Sequence, residues 1–289
     1  MRVAAAPAPQ ATSLYELLAL ASRVAATETA ILIEGEPGTG KEVLAAVIHQ
    51  RSLRRLQPFR VLDCRTIAAG RRDGDVLAEL ADPGPRQRAP GHAGGGTLLL
   101  DEVGALPGDL QRALLRVLDQ RTVRRIGTDG AHRVNVRIVA ASSSDLRAEV
   151  RAGRFRGDLY QRLAVVRMPM PPLRERRGEI AHLVAALLGI DAAPVPPDVL
   201  AALEAHAWPG NVRELRSVVG HQRVLGWASA LEAFRIAPYR GGAAAAPVAP
   251  LGDAERAALA LFEQDHRAFL YGRHGRTRSE APQGSRQRP

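Results

Sequence analysis

"GEPGTGKE", Gly35 to Glu42, lies between the short apolar run "AILIE" and the helix-patterned "KEVLAAVIHQ". No other feature constrains the fold as tightly. A buried strand that stops on a glycine, a turn with glycines at 35, 38 and 40, and an immediate helix form a unit whose backbone N–H groups can turn inward around an anion. The helix directs its positive dipole end at the same point. Lys41 follows, and it is the single lysine among 40 Lys plus Arg residues. A compact ammonium on a flexible stem reaches the β and γ phosphates of a nucleotide, which the planar fork of arginine does poorly. An ordinary Gly-rich turn before a helix would leave that lone lysine unexplained.

The remaining pattern extends the unit. "LYELLALASRVA" (14–25) repeats apolar residues at helical spacing, and "FRVLDC" (59–64) reads as a second strand. "TLLLDE" (97–102) is a third, apolar until it ends in Asp101 and Glu102. "LPGDLQRALLRVLDQ" is an amphipathic helix, and "TVRRIGTDGAHRVNVRIVAA" alternates about a Thr-Asp-Gly turn as a hairpin leading into another core strand. After "MPMPPLRERRGE" the strand pattern ceases and helices follow to about Arg235. The predicted fold class is α/β, a P-loop NTPase with a parallel sheet core, followed by a small all-helical subdomain. The expected divisions are a disordered leader (1–12), the nucleotide-binding subdomain (13–172), the helical lid (173–235), a flexible linker (236–252) and a helix with a basic tail (253–289).

Open parallel sheets bind ligands beyond the carboxyl ends of their strands. The strand before Asp101 and Glu102 therefore brings two carboxylates toward the phosphate loop. Asp101 suits the magnesium shell, directly or through water, and Glu102 suits the polarisation of an attacking water. One mismatch stands out: the general motif places Ser or Thr after the lysine to bind magnesium, and here Glu42 occupies that place.

Composition excludes several classes. One cysteine, Cys64, rules out an internal disulfide framework and a Cys-based zinc site, and it reads as a buried thiol at a strand end. The eight histidines lack metal-ligand spacing. The formal charge of +10 invites a nucleic-acid reading, but arginine is spread along the whole length. "MRVAAAPAPQA" is not a signal peptide and no run could span a membrane, so the expected location is cytoplasmic.

Together, "GEPGTGKE", "GGTLLLDEVGALPGDLQRALLRVLDQRTVRRIG", "GRFRGDLYQRL", "PPLRERRGEI" and "WPGNVREL" resemble one family, the AAA+ ATPases that activate sigma-54 RNA polymerase. The match runs from about Ser13 to Arg235, and Glu42 after the lysine is usual there. The resemblance implies ATP and Mg2+ as cofactors, with Gly35, Glu36, Pro37, Gly38, Thr39, Gly40, Lys41, Glu42, Asp101 and Arg213 around the nucleotide. It implies a homo-oligomeric ring, six-membered by family. Arg156 and Arg162 match the arginines that reach a neighbouring subunit's γ-phosphate; on one helix they would lie about 120° apart, so their contacts should differ. Arg213 matches the lid arginine that senses nucleotide, on a helix that Asn211 could cap. Trp208 reads as lid core.

The departures are as informative. The family's GAFTGA loop, which grips sigma-54, is absent from "AELADPGPRQRAPGHAGGG" (78–96), which offers no phenylalanine or threonine. The asparagine that restrains the catalytic glutamate becomes Asp63, a carboxylate expected to repel Glu102 or share a proton with it. The family's "ATN" becomes "ASS", placing Ser143 where an amide would help position water. Residues 253–289 resemble only the first helix of a Fis-type helix-turn-helix and the start of its second, which Pro282 breaks, so sequence-specific DNA binding is not expected.

The groups with the largest expected effects remain. Loss of a positioning donor costs ~10²–10³ in rate, and loss of an arginine finger ~10³–10⁵. The residues lead us to expect ATP binding and slow, assembly-dependent hydrolysis in the regulation of transcription. The alternative is a nucleotide-dependent assembly module that does not remodel sigma-54 polymerase and acts by joining a related activator.

Overall fold

Residues 14–67, 96–124, 131–189 and 194–237 are described by the structure, a computed structural model. The expected leader, the interval 78–95, the turn of the hairpin, nearly all of the expected linker and everything beyond it lie outside them.

Period-2 alternation organises the sheet. In β1 (Ile31–Glu34), Ile31 and Ile33 face one side and Leu32 the other. The same holds in β3 (Gly96–Asp101) and β6 (Val136–Ser142), where Leu99, Val139 and Ala141 share a face opposite Leu98, Leu100, Ile138 and Ala140. Such strands are apolar on both sides because helices cover both. With β2 (Phe59–Asp63) and β7 (Val166–Pro169) they form a parallel sheet in the order β2-β3-β6-β1-β7.

The helices α1 (Leu14–Ala25) and α2 (Lys41–Gln50) cover one face. On the other lies α3 (Gly108–Gln120), which buries Leu110, Leu114 and Val117 at helical spacing. Two short helices, α4 (Leu146–Arg151) and α5 (Gly157–Leu163), adjoin it. The hairpin is present as the antiparallel pair β4 (Thr122–Arg124) and β5 (Ala131–Arg133).

Beyond β7 the described chain is helical. After two short 3-10 turns (Leu173–Glu175 and Arg177–Glu179) come α6 (Ile180–Leu188), α7 (Pro197–Ala205) and α8 (Asn211–Ala233). Gly226, with φ 82°, interrupts α8. Trp208 is buried and its indole N–H donates to the Leu203 carbonyl at 2.8 Å, so it is a packing residue. The helical part shares its apolar cluster with α1, α2 and the sheet, which sets it against the loop that joins β1 to α2.

Candidate nucleotide site

The loop from Gly35 to Gly40 leaves the end of β1 and enters α2. Gly38 (φ +79°) and Gly40 (φ +103°) adopt left-handed backbone, open to glycine at little cost. A Cβ on Gly38 would lie 2.4 Å from the Gly210 carbonyl oxygen, so the close approach also demands glycine. The Gly35 N–H donates to Ser142 at the end of β6, and the Thr39 hydroxyl donates to the Glu36 carbonyl at 2.9 Å. Gly40 caps α2 without a side chain, which leaves the first N–H groups of that helix for an anion.

The Lys41 ammonium donates to the carbonyls of Gly35 (2.8 Å) and Glu36 (3.1 Å) and stands 3.7 Å from Glu102 Oε1. Burial holds it below the usual lysine range; Glu102 and Asp101 oppose that shift, and Arg213 adds to it. Asp101 ends β3 in a buried position. Its carboxyl is pushed up to about 6, first by burial and then by repulsion from Glu42 and Glu102. These residues fit a nucleotide-bound divalent ion. Magnesium is held by one or two carboxylates together with phosphate oxygens, and no group of three or more His, Cys, Asp or Glu among the described residues is arranged as an all-protein metal cage.

Glu102 has left-handed backbone (φ 52°, ψ 52°), a costly conformation for a side chain of this kind. Ser143 holds it there: Oε2 accepts from the Ser143 N–H at 2.9 Å and from its hydroxyl at 2.7 Å. Asp63, expected to bear on Glu102, is paired with a residue that the sequence pattern did not single out. Arg65 forks onto Asp63, with Nε to Oδ1 at 2.9 Å and Nη2 to Oδ2 at 2.8 Å, and holds that carboxyl below its usual range. Cys64 is buried as expected, in the 3-10 turn that follows β2, and burial raises its thiol pKa.

The lid meets the loop through polar contacts. Arg174 pairs with the Glu36 carboxylate, which holds Glu36 down to about 2 together with Asn211. Arg176 donates to the Thr39 carbonyl at 2.8 Å, and the Arg213 N–H donates to the Gly38 carbonyl at 3.3 Å. Asn211 does not cap α8, as the pattern suggested, because Gly210 holds the cap position and the Glu214 carboxylate accepts from its N–H. The Asn211 amide instead spans three segments: Oδ1 accepts from Leu173 N–H, and Nδ2 donates to Glu36 Oε2 and the Pro37 carbonyl. Glu36, counted among the nucleotide residues, thus turns its side chain to the lid. "RERRGE" held the signal for these contacts in its arginines, but sequence alone named no partner for them.

Arg156 and Arg162 are placed apart from this cluster. Arg156 precedes α5 in extended backbone and pairs with Asp158, while Arg162, inside α5, pairs with Asp119 on α3 at 2.8 Å. The two therefore do not share a helix face, because only one of them is in the helix.

This arrangement agrees with what the chain is similar to. The sigma-54 interaction domain matches residues 8–169, and the AAA+ ATPase lid domain matches residues 174–240. The chain belongs to the sigma-54 interaction domain family. It is 42% identical over 226 residues to the response regulator protein FleR of Pseudomonas aeruginosa, covering 73% of this chain and 47% of FleR. It is 40% identical over 222 residues to the nitrogen assimilation regulatory protein NtrX of Azorhizobium caulinodans, covering 73% and 49%. The chain thus spans about half the length of these relatives. Among solved structures, NtrX from Brucella abortus in complex with ATP is similar at 32% identity and a TM-score of 0.63, over 78% of this chain and 54% of that one. The same protein with ADP gives 33% identity and 0.63, over 75% and 51%. The family fold is the AAA+ α/β nucleotide-binding fold with a helical lid. Among the described residues no helix is long and apolar enough to cross a membrane.

Proposed function

We propose that this chain is the nucleotide-driven module of a sigma-54-type transcription regulator, binding MgATP and hydrolysing it slowly when assembled. The observation that carries the reading is the convergence of Lys41, Asp101 and Glu102, with Lys41 Nζ 3.7 Å from Glu102 Oε1 at the mouth of the loop. Lys41 and the N–H groups of residues 38–42 hold the phosphates, with Gly35, Glu36 and Pro37 shaping the loop. Asp101 would hold a magnesium ion, directly or through water, and a bound ion would neutralise charge that develops on the phosphates. Glu102 polarises the attacking water while Ser143 holds its carboxylate in place. Arg213 reports the phosphate state to the lid. Arg156 and Arg162 leave Asp158 and Asp119 to act on a neighbouring subunit's nucleotide in a ring, six-membered as in the family. The working divisions are 13–172 for the α/β part and 173–235 for the lid.

MgATP turnover across a protein concentration series tests the reading, with Lys41→Ala and Arg162→Ala alongside. Turnover per subunit is expected to rise with concentration and to vanish in both variants. Concentration-independent turnover, or turnover that survives Lys41→Ala, overturns it.

A second reading concerns the partner. Residues 78–96 carry no phenylalanine or threonine for a sigma-54 contact, and the reading this composition raises is nucleotide-dependent assembly with a related activator. A sigma-54 pull-down separates the two, since ATP-dependent capture defeats the second.

A further inference from the structure

The register of the sheet creates a charge problem that the loop does not solve. Asp63 on β2 and Asp101 on β3 are direct partners across neighbouring parallel strands, which run about 4.8 Å apart. Glu102 follows Asp101, and repulsion from Asp63, Glu42 and Glu102 all bears on Asp101. Lys41 is engaged with two loop carbonyls, stands 3.7 Å from Glu102 and also draws the Asp101 carboxyl down, which leaves Asp63 and the outer side of Asp101 to another cation.

We propose that Arg65 is that cation and a positioning residue of the phosphate site, tying Asp63 and Asp101 into one unit beside the place of the metal. The chain turns back after β2 so that the Arg65 N–H donates to Asp63 Oδ1 at 3.0 Å, with the Thr66 hydroxyl on the Asp63 carbonyl at 2.8 Å. The guanidinium forks onto the same carboxylate. Its Nη2 also stands 3.9 Å from Asp101 Oδ2. One nitrogen thus faces both carboxylates. An ordinary surface pair would contribute little and would leave Asp101 unaffected. Here the side chain is 59% exposed but its target carboxylate only 11%, so the charge sits at the rim of a buried group. Arg65 consequently competes with a divalent ion for Asp101 and offsets carboxylate repulsion of the incoming triphosphate.

The inference rests on the nucleotide-site reading, and the experiment has an arm that does not. Mn2+ binding to nucleotide-free protein is followed by electron paramagnetic resonance, and ATP affinity is measured calorimetrically in EDTA and in excess Mg2+. In Arg65→Ala, Mn2+ affinity is expected to rise about fivefold and ATP affinity in EDTA to fall about fivefold, with the Mg2+ value moving less than about twofold. Asp63→Asn combined with Arg65→Ala is expected to return both to near the parent values, because it restores the charge balance. Arg65→Lys should fall between, since an ammonium cannot fork. Parent-like behaviour of Arg65→Ala overturns the proposal, and so does equal loss with and without Mg2+ or no rescue in the double variant. If neither the parent chain nor Lys41→Ala binds ATP, the nucleotide reading fails while the Mn2+ arm still decides Arg65.

Discussion

Asn211 and Glu36 lie 175 residues apart in sequence, and the amide of one donates to the carboxylate of the other at 3.1 Å. The same amide accepts from Leu173 N–H at 2.8 Å, and Glu36 offers its carbonyl to Lys41. Glu36 therefore touches both the Lys41 ammonium and the lid, beside the further lid contacts at Pro37, Gly38 and Thr39.

Replacing Asn211 should weaken the chain more than an ordinary exposed polar residue would. Asn211→Ala leaves the Leu173 N–H without its acceptor and puts alanine at φ 53°. A loss of about 2–4 kcal/mol is expected in urea unfolding. Asn211→Gly removes the same amide without the left-handed penalty and should recover about 1 kcal/mol of it.

Gly38 has no room for a side chain. Gly38→Ala would place a methyl group 2.4 Å from the Gly210 carbonyl at a φ of +79°. Unfolding midpoints should report a loss of about 2 kcal/mol or more. ATP affinity should fall by more than about tenfold, because the loop cannot keep its shape while the lid is docked.

Ser143 should act on turnover rather than on binding. Ser143→Ala removes the hydroxyl bond to Glu102 and keeps the N–H bond, so Glu102 is held by half its restraint. Steady-state ATPase assays should show about a tenfold lower rate with nucleotide affinity within about twofold of the parent. Weaker ATP binding with unchanged rate would contradict this assignment.

Asp101 gives the metal-free fold a pH dependence of definite sign. Its carboxyl titrates at about 6 in the fold against 3.8 for an ordinary aspartate, so folding favours the neutral form. That contribution is complete below the ordinary value and is lost as pH rises through 6. Relative to Asp101→Asn, the parent chain should therefore lose stability between pH 4 and pH 6 and then run parallel. Urea unfolding in EDTA across that range measures it, and parallel curves throughout would contradict the assignment.

Much of this was legible in the order of residues, and the reason is locality. The strand of residues 31–34, the Gly-rich turn and helix 41–50 are neighbours in sequence as in space, so period, glycine placement and the lone lysine declare them. Trp208 as a packing residue was readable because a large apolar side chain must be buried somewhere. Three readings missed contacts: Asn211 pairs with distant segments, whereas Asp63 and Arg156 each pair with a residue two positions on. Asn211 looked like a cap because its neighbours suggested one, but Glu36 and Leu173 claim its amide. Asp63 looked like a hazard to Glu102 because Arg65 does not declare which way it folds. Arg156 was placed inside a helix that begins one residue later.

By itself, then, the sequence determined that this chain builds a phosphate loop on a parallel sheet and follows it with helices. Glycine conformation, apolar period and the reach of a lysine are properties of short segments. Only the tertiary structure decided which charges meet. The register of β2 on β3 sets Asp63 against Asp101, the approach of β6 to β3 brings Ser143 to Glu102, and the docking of the lid gives Glu36 to Asn211 and Arg174. Pairings of that kind arise between segments that no local rule connects, since burial and sheet register choose them together.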